Sequence, residues 1–178
     1  NSEKTVGGKG MIVVSDTTPI LSLLKAGRLE LLKNLYQTVV IPKAVYNELT
    51  GNMDYRDERE EIEQCAFLVV EKVYNKDSVS ALRNITGLDY GESEALVLYM
   101  EKKTDLLLID EHKGRGVAKK MSVEHVGTMG VLMLAFDEGL MSPREVRETL
   151  GIMLTCDIRL SRKLCNKVLA YVGLKEYF

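Results

Sequence analysis

The sequence predicts an α/β fold with a mainly parallel central sheet, on two observations. Short runs such as MIVVS (11–15) and DLLLI (105–109) are continuously apolar, as strands covered on both faces must be. Between such runs lie longer stretches with apolar residues at helical spacing, so that strands and helices alternate along the chain.

The first ten residues, NSEKTVGGKG, carry little apolar material and are expected to be a disordered tail or an expression remnant, leaving 11–178 as one globular domain. MIVVS is the first strand. PILSLLKAG and RLELLKNLY place leucines at helical intervals and part at Gly27, which predicts two short helices. TVVI (38–41) is a second strand, after which Pro42 opens a helix over KAVYNELTG that Gly51 closes. DYRDEREEIEQ sets six acids against two arginines and reads as an exposed helix, and FLVVEKV alternates like a strand. GESEALVLYMEKK is a helix, DLLLID (105–110) a buried strand, EHKGRGVAKKM a basic helix and SVEHVG a short strand. TMGVLMLAFDEGL, SPREVRETLGIML and LSRKLCNKVLAYVG are three further helices.

With 178 residues, 46% of them hydrophobic, the chain can bury a substantial core. A formal net charge of −2 gives no global field to attract nucleic acid, so any such contact needs a local patch. Cys65, Cys156 and Cys165 are widely spaced, form no CxxC and have only His112 and His125 to join them, which argues against a zinc site or a disulfide framework. No apolar run approaches the roughly 18 residues of a membrane span, and no secretory core opens the chain, so a cytoplasmic protein without a membrane partner is expected.

Ligands of parallel α/β sheets bind outside the carboxyl ends of the strands. Two strands finish there on carboxylates, MIVVS into Asp16 and DLLLI into Asp110. In VVSDTTPI, Thr18 and Pro19 suit a helix start and leave Asp16 one residue too early to be the cap. Glu48 lies beside the apolar stripe of Val45 and Leu49 and is able to face the same cleft. Glu92 and Glu94 diverge by about 200° around a helix, so only one can join them. Glu92, above Ala95, Leu96 and Tyr99, is preferred, with Glu94 left as the alternative. Four carboxylates without histidine or thiolate are hard oxygen ligands suited to Mg²⁺ or Mn²⁺, the ions of phosphate chemistry. A metal-dependent nuclease is the expected activity, with Asp16, Glu48, Glu92 and Asp110 catalytic through the metal they bind.

VVSDTTPI, VVIPKAVYNEL and LDYGESEALVLYMEKKTDLLLIDE together resemble segments of the PIN-domain proteins, a nuclease superfamily that includes VapC-type toxins of toxin–antitoxin pairs. The resemblance runs from Met11 to the C-terminus. It implies Asp16 as the first metal-binding acid with Thr17 or Thr18 as the hydroxyl beside it, Glu48 as the second, Glu92 where many members carry Asp, and Asp110 as the fourth. It also implies a three-layer fold with strand order 3-2-1-4-5, RNA as substrate, a small antitoxin as partner and a homodimer. The helices over about 142–178 exceed a minimal PIN toxin and resemble one bacterial and archaeal subgroup.

Lys113, Arg115, Lys119 and Lys120 follow Asp110 and are candidates for RNA backbone contacts. KGRGVAKK fails as a dinucleotide fingerprint because Lys119 stands where a final Gly or Ala is needed. Thr18 occupies the place where a phosphotransferase with an aspartyl nucleophile would want a second Asp. The alternative function is a catalytically weak PIN-fold module that binds RNA or protein, with Met129, Met133, Leu134 and Met153 as candidate interface residues.

Overall fold

The computed structural model describes residues 10–51, 56–156 and 158–175; the expected tail lies, but for Gly10, outside the described residues. Among them, five strands form one sheet: β1 (Val13–Ser15), β2 (Val39–Pro42), β3 (Leu68–Glu71), β4 (Leu106–Leu108) and β5 (His125–Val126). Every pairing is parallel and the order is β3-β2-β1-β4-β5, as the resemblance implies. β1 is central, pairing Val13 with both Val39 and Leu106, so β1 and β4 end side by side. The Asp16 N–H extends that pairing, donating to the Leu108 carbonyl at 2.9 Å.

The helices are α1 (Thr17–Lys25), α2 (Glu30–Tyr36), α3 (Lys43–Thr50), α4 (Arg56–Glu63), α5 (Lys76–Thr86), α6 (Tyr90–Lys102), α7 (His112–Lys120), α8 (Thr128–Asp137), α9 (Pro143–Thr155) and α10 (Arg162–Tyr171). α5 is absent from the sequence reading. It fully buries only Val79, packs Leu82 against the same cluster and leaves Ile85 84% exposed, so its apolar stripe is short. Its ends are nonetheless signalled, by the Asn75 side chain accepting from the Ser78 N–H at 2.9 Å and by Gly87 in the left-handed region at φ 67°. The strand expected over FLVVEKV is shorter, and as the sheet's edge it leaves Val69 and Val70 exposed.

Side-chain alternation along the strands divides the core into two layers. Val13, Val39, Ile41, Leu106 and Leu108 enter one apolar cluster with α1, α2 and α8 to α10. Val14, Leu107 and Ile109 enter the other, with α6, Val79 of α5 and Ala118 of α7. Met129 and Met153 are buried in the first cluster, with Met133 and Leu134 packed against it. Met129 and Met153 therefore build the core, because α8, α9 and α10 fold back over α1, whereas Met133 and Leu134 stay partly accessible. Cys65, Cys156 and Cys165 are free thiols. Among the described residues no helix is long and apolar enough to cross a membrane.

Candidate metal centre

α1 begins at Thr17, earlier than the sequence suggests, so Asp16 occupies the N-cap position after all. Its side chain makes no capping bond there and is 5% exposed. Burial pushes the Asp16 carboxyl up to about 8; the Thr17 amide pulls against this, and Glu92, Asp89 and Glu48 add repulsion in the same upward direction. Asp16 thus stands at the strand end with other carboxylates around it.

Glu48 comes from the second turn of α3, solvent-accessible at the rim. Its Oε2 accepts from the Thr17 hydroxyl at 2.7 Å, so this hydroxyl serves Glu48 and not Asp16. Thr18 is exposed on the same turn of α1. Partial burial raises the Glu48 carboxyl, opposed by Thr17 and reinforced by Asp89. Across from it lies Gly91 of α6, where any Cβ would collide with Glu48 Oε1.

Glu92 is 6% exposed at the start of α6. Its N–H donates to Asp89 Oδ1 at 2.8 Å, and its Oε2 accepts from the Asp89 N–H at 3.1 Å, a reciprocal capping box. Only one carboxylate oxygen is used. Oε1 is buried without a hydrogen-bond partner and faces Gly114 of α7, whose Cβ, if present, would stand 2.8 Å away. Burial raises this carboxyl; the Asp89 amide and Lys113 lower it, while the charges of Asp89 and Glu111 raise it.

Glu94 has a different fate. It is 1% exposed, with Oε2 accepting from the Ala44 N–H at 3.0 Å and Oε1 bound by Lys76 Nζ at 2.6 Å. Burial acts upward on it, but Lys76, the Ala44 amide and Tyr90 together hold it below the usual carboxylate range. Both oxygens are committed to joining α3, α5 and α6, and Glu92 is the one beside Asp16.

Asp110 follows β4. Thr128, at the start of α8, donates its N–H to Oδ1 at 2.7 Å and its hydroxyl to Oδ2 at 2.5 Å. Burial raises the Asp110 carboxyl; Thr128 and Arg115 lower it and Glu111 raises it. A Cβ on Gly127 would come within 2.7 Å of Asp110 Oδ1. Three glycines therefore leave room for three acids, Gly91 for Glu48, Gly114 for Glu92 and Gly127 for Asp110.

Asp89, Glu111, Thr128 and these glycines are missing from the sequence reading. Only Asp89 carries a local signal, the D-x-x-E pattern of a helix start before an apolar run. The basic residues do not form one group. Lys113 Nζ donates to the Gly87 carbonyl at 2.9 Å and acts on Glu92, and Arg115 acts on Asp110. Lys119 and Lys120 are exposed in the last turn of α7, about 9 Å further along the helix.

Among the described residues, no three His, Cys, Asp or Glu side chains are already gathered into a coordination sphere. The donor set fits a hard divalent cation all the same. It offers carboxylate oxygens alone, each raised by burial, one of them buried without a partner. No curated protein matches the chain. A family model described as PIN domain matches residues 12–174, from the lead-in to β1 to beyond α10. That match takes in the whole sheet and every acid discussed, and the chain accordingly belongs to the PIN-domain family, whose fold is of the nuclease type.

Proposed function

We propose that the chain is an endoribonuclease that hydrolyses RNA phosphodiesters with Mg²⁺ or Mn²⁺ held by Asp16, Glu48, Glu92 and Asp110. The observation that carries this reading is Glu92 Oε1, a buried carboxylate oxygen with no partner, beside acids whose charged forms burial also disfavours. Carboxylates that resist ionisation one by one are stabilised together by a divalent cation. When bound, such an ion supplies acidification of water and neutralisation of charge on the phosphoryl oxygens.

The chain's own part is to hold the donors. Asp16 is fixed by the strand end, Glu48 by the Thr17 hydroxyl, Glu92 by the Asp89 amide, and Asp110 by both donors of Thr128. With water as the nucleophile, in-line attack expels the 3′-oxygen and leaves a 5′-phosphate and a 3′-hydroxyl. RNA as the substrate, a toxin's role with a small antitoxin, a homodimer and a cytoplasmic site of action rest on the likeness of VVSDTTPI and its companion segments to VapC-type toxins.

The test is cleavage of total RNA with Mg²⁺ or Mn²⁺, abolished by EDTA and by Asp16→Asn. Ends carrying 2′,3′-cyclic phosphate, or Asp16→Asn and Asp110→Asn chains that bind divalent metal as the parent does, would refute it. Sedimentation at micromolar concentration tests the homodimer.

A further inference from the structure

Two consecutive residues of α7 bear on Glu92. Gly114 leaves the space beside Oε1, and Lys113 Nζ donates to the Gly87 carbonyl at 2.9 Å. Gly87 ends α5 in the left-handed region at φ 67°, and only Leu88 separates it from Asp89, the N-cap residue of α6. The Asp89 N–H is the donor that holds Glu92 Oε2 at 3.1 Å. Lys113 thus grips the turn that carries this donor.

The other polar bonds of the turn are local. Gly87 N–H donates to the Arg83 carbonyl at 2.7 Å and Leu88 N–H to the Thr86 hydroxyl at 3.2 Å, both within α5 and its end. Leu88 is buried in the apolar cluster shared with α6 and α7, a contact without direction. The lysine supplies a directed bond from α7. Gly87 admits it, since a Cβ there would stand 2.8 Å from Nζ. The bond lies at the surface and adds little stability by itself. Nor does charge explain the residue, because an ammonium near a cation site repels the cation. Its charge is felt at Glu92, where it opposes the upward push of burial.

We propose that Lys113 is a positioning residue: by holding the Gly87 carbonyl it fixes the α5–α6 turn, so that the Asp89 N–H keeps Glu92 Oε2 and leaves Oε1 free for the metal. The inference rests on the metal reading above. Lys113 stands three residues after Asp110, so one segment carries the fourth acid and the clamp on the third.

The experiment compares Lys113→Met, which keeps the stem and loses the donor, with Lys113→Arg, which keeps a donor. Gly87→Asn tolerates the left-handed backbone and pushes the ammonium away from the other side. In EDTA, amide hydrogen exchange is read at Asp89. The Ser142 N–H, which donates to Glu145 Oε2 at 2.8 Å in the matching box of α9, is the internal reference. Lys113→Met and Gly87→Asn should speed exchange at Asp89 about threefold or more relative to Ser142, and Lys113→Arg should not. Mn²⁺ affinity, titrated at one pH, should fall about threefold or more in Lys113→Met, whereas loss of a positive charge alone would raise it. The double variant should lose no more than the worse single one, because both break one contact. Unchanged exchange at Asp89, Mn²⁺ affinity equal to or above the parent's, or a Lys113→Arg chain as impaired as Lys113→Met would each overturn the role. A parent that binds no Mn²⁺ while exchange responds as expected would overturn the metal centre and leave the clamp on the turn standing.

Discussion

Glu94 accepts a hydrogen bond from the Ala44 N–H at 3.0 Å and so fastens the first turn of α3 to α6. Glu92, two residues earlier, leaves an oxygen unpartnered in the interior. The two acids should answer mutation in opposite ways. Glu94→Ala strands the buried Ala44 N–H and should lower stability by about 1–3 kcal/mol. Glu92→Gln keeps an oxygen for the Asp89 N–H and removes a buried charge, so its Tm should equal or exceed the parent's. Its affinity for Mn²⁺ should nevertheless fall by about tenfold or more. Thermal unfolding and titration calorimetry read the two effects separately, and a Glu94→Ala chain as stable as the parent would contradict this division of roles.

The buried Asp16 makes the metal-free protein sensitive to alkali. Its carboxyl titrates near 8 in the folded chain against an ordinary 3.8, so the native state binds the extra proton between those values. Stability contributed by the protonated form is complete below about pH 4 and is lost as pH rises through about 8. In EDTA, urea midpoints should therefore fall over that window, and Asp16→Asn should flatten the fall. Saturating Mn²⁺ should oppose it, increasingly so toward high pH, since the ion requires the deprotonated acid. Midpoints independent of pH in both proteins would exclude the effect.

Thr128 holds both oxygens of Asp110, and its hydroxyl bond is a charge-assisted one. Thr128→Val should lift the Asp110 carboxyl further, because a group that lowers it has been removed. Mn²⁺ binding should weaken at neutral pH and recover as pH rises, whereas Thr128→Ser should behave as the parent. Calorimetric titrations across pH distinguish this from a general loss of fold, which no increase in pH would repair.

Gly91 tests whether space at the site is itself functional. Alanine is the better helix former by about 0.5–1 kcal/mol, so Gly91→Ala should leave Tm unchanged or raise it. Its Cβ would nonetheless displace the Glu48 carboxylate, the mobile end of a long side chain. Metal affinity should drop while stability holds. Retained affinity would mean that Glu48 is not a ligand or reaches the ion by another path.

Much of the architecture was legible because burial writes itself into composition. Strands covered on both faces must be apolar throughout, as MIVVS and DLLLI are, and the amphipathic helices show their stripes. α5 escaped because its apolar stripe is short, with Val79 and Leu82 turned inward while Ile85 lies exposed among polar neighbours. Asp16 and Asp110 were marked by their positions at strand ends. Thr128 and the glycines were not, because their meaning lies in which carboxylate each meets across the fold, a matter of tertiary approach and not of local pattern. Lys119 and Lys120 look like neighbours of Asp110 in the sequence, but the rise of α7 carries them away.

The apolar cluster beneath α1 contains Leu150, Met153, Val168, Leu169 and Val172 together with Val13 and Leu108. This gives the protein an order of completion during synthesis. The chain emerging from a ribosome carries all four acids once Asp110 has appeared, yet the cluster supporting the first of them still lacks its last helices. A nascent or prematurely ended chain therefore holds the ingredients of the centre without the packing that fixes them. The acids are fixed only once α9 and α10 have joined this cluster, and until then its apolar face stays open to chaperones or proteases.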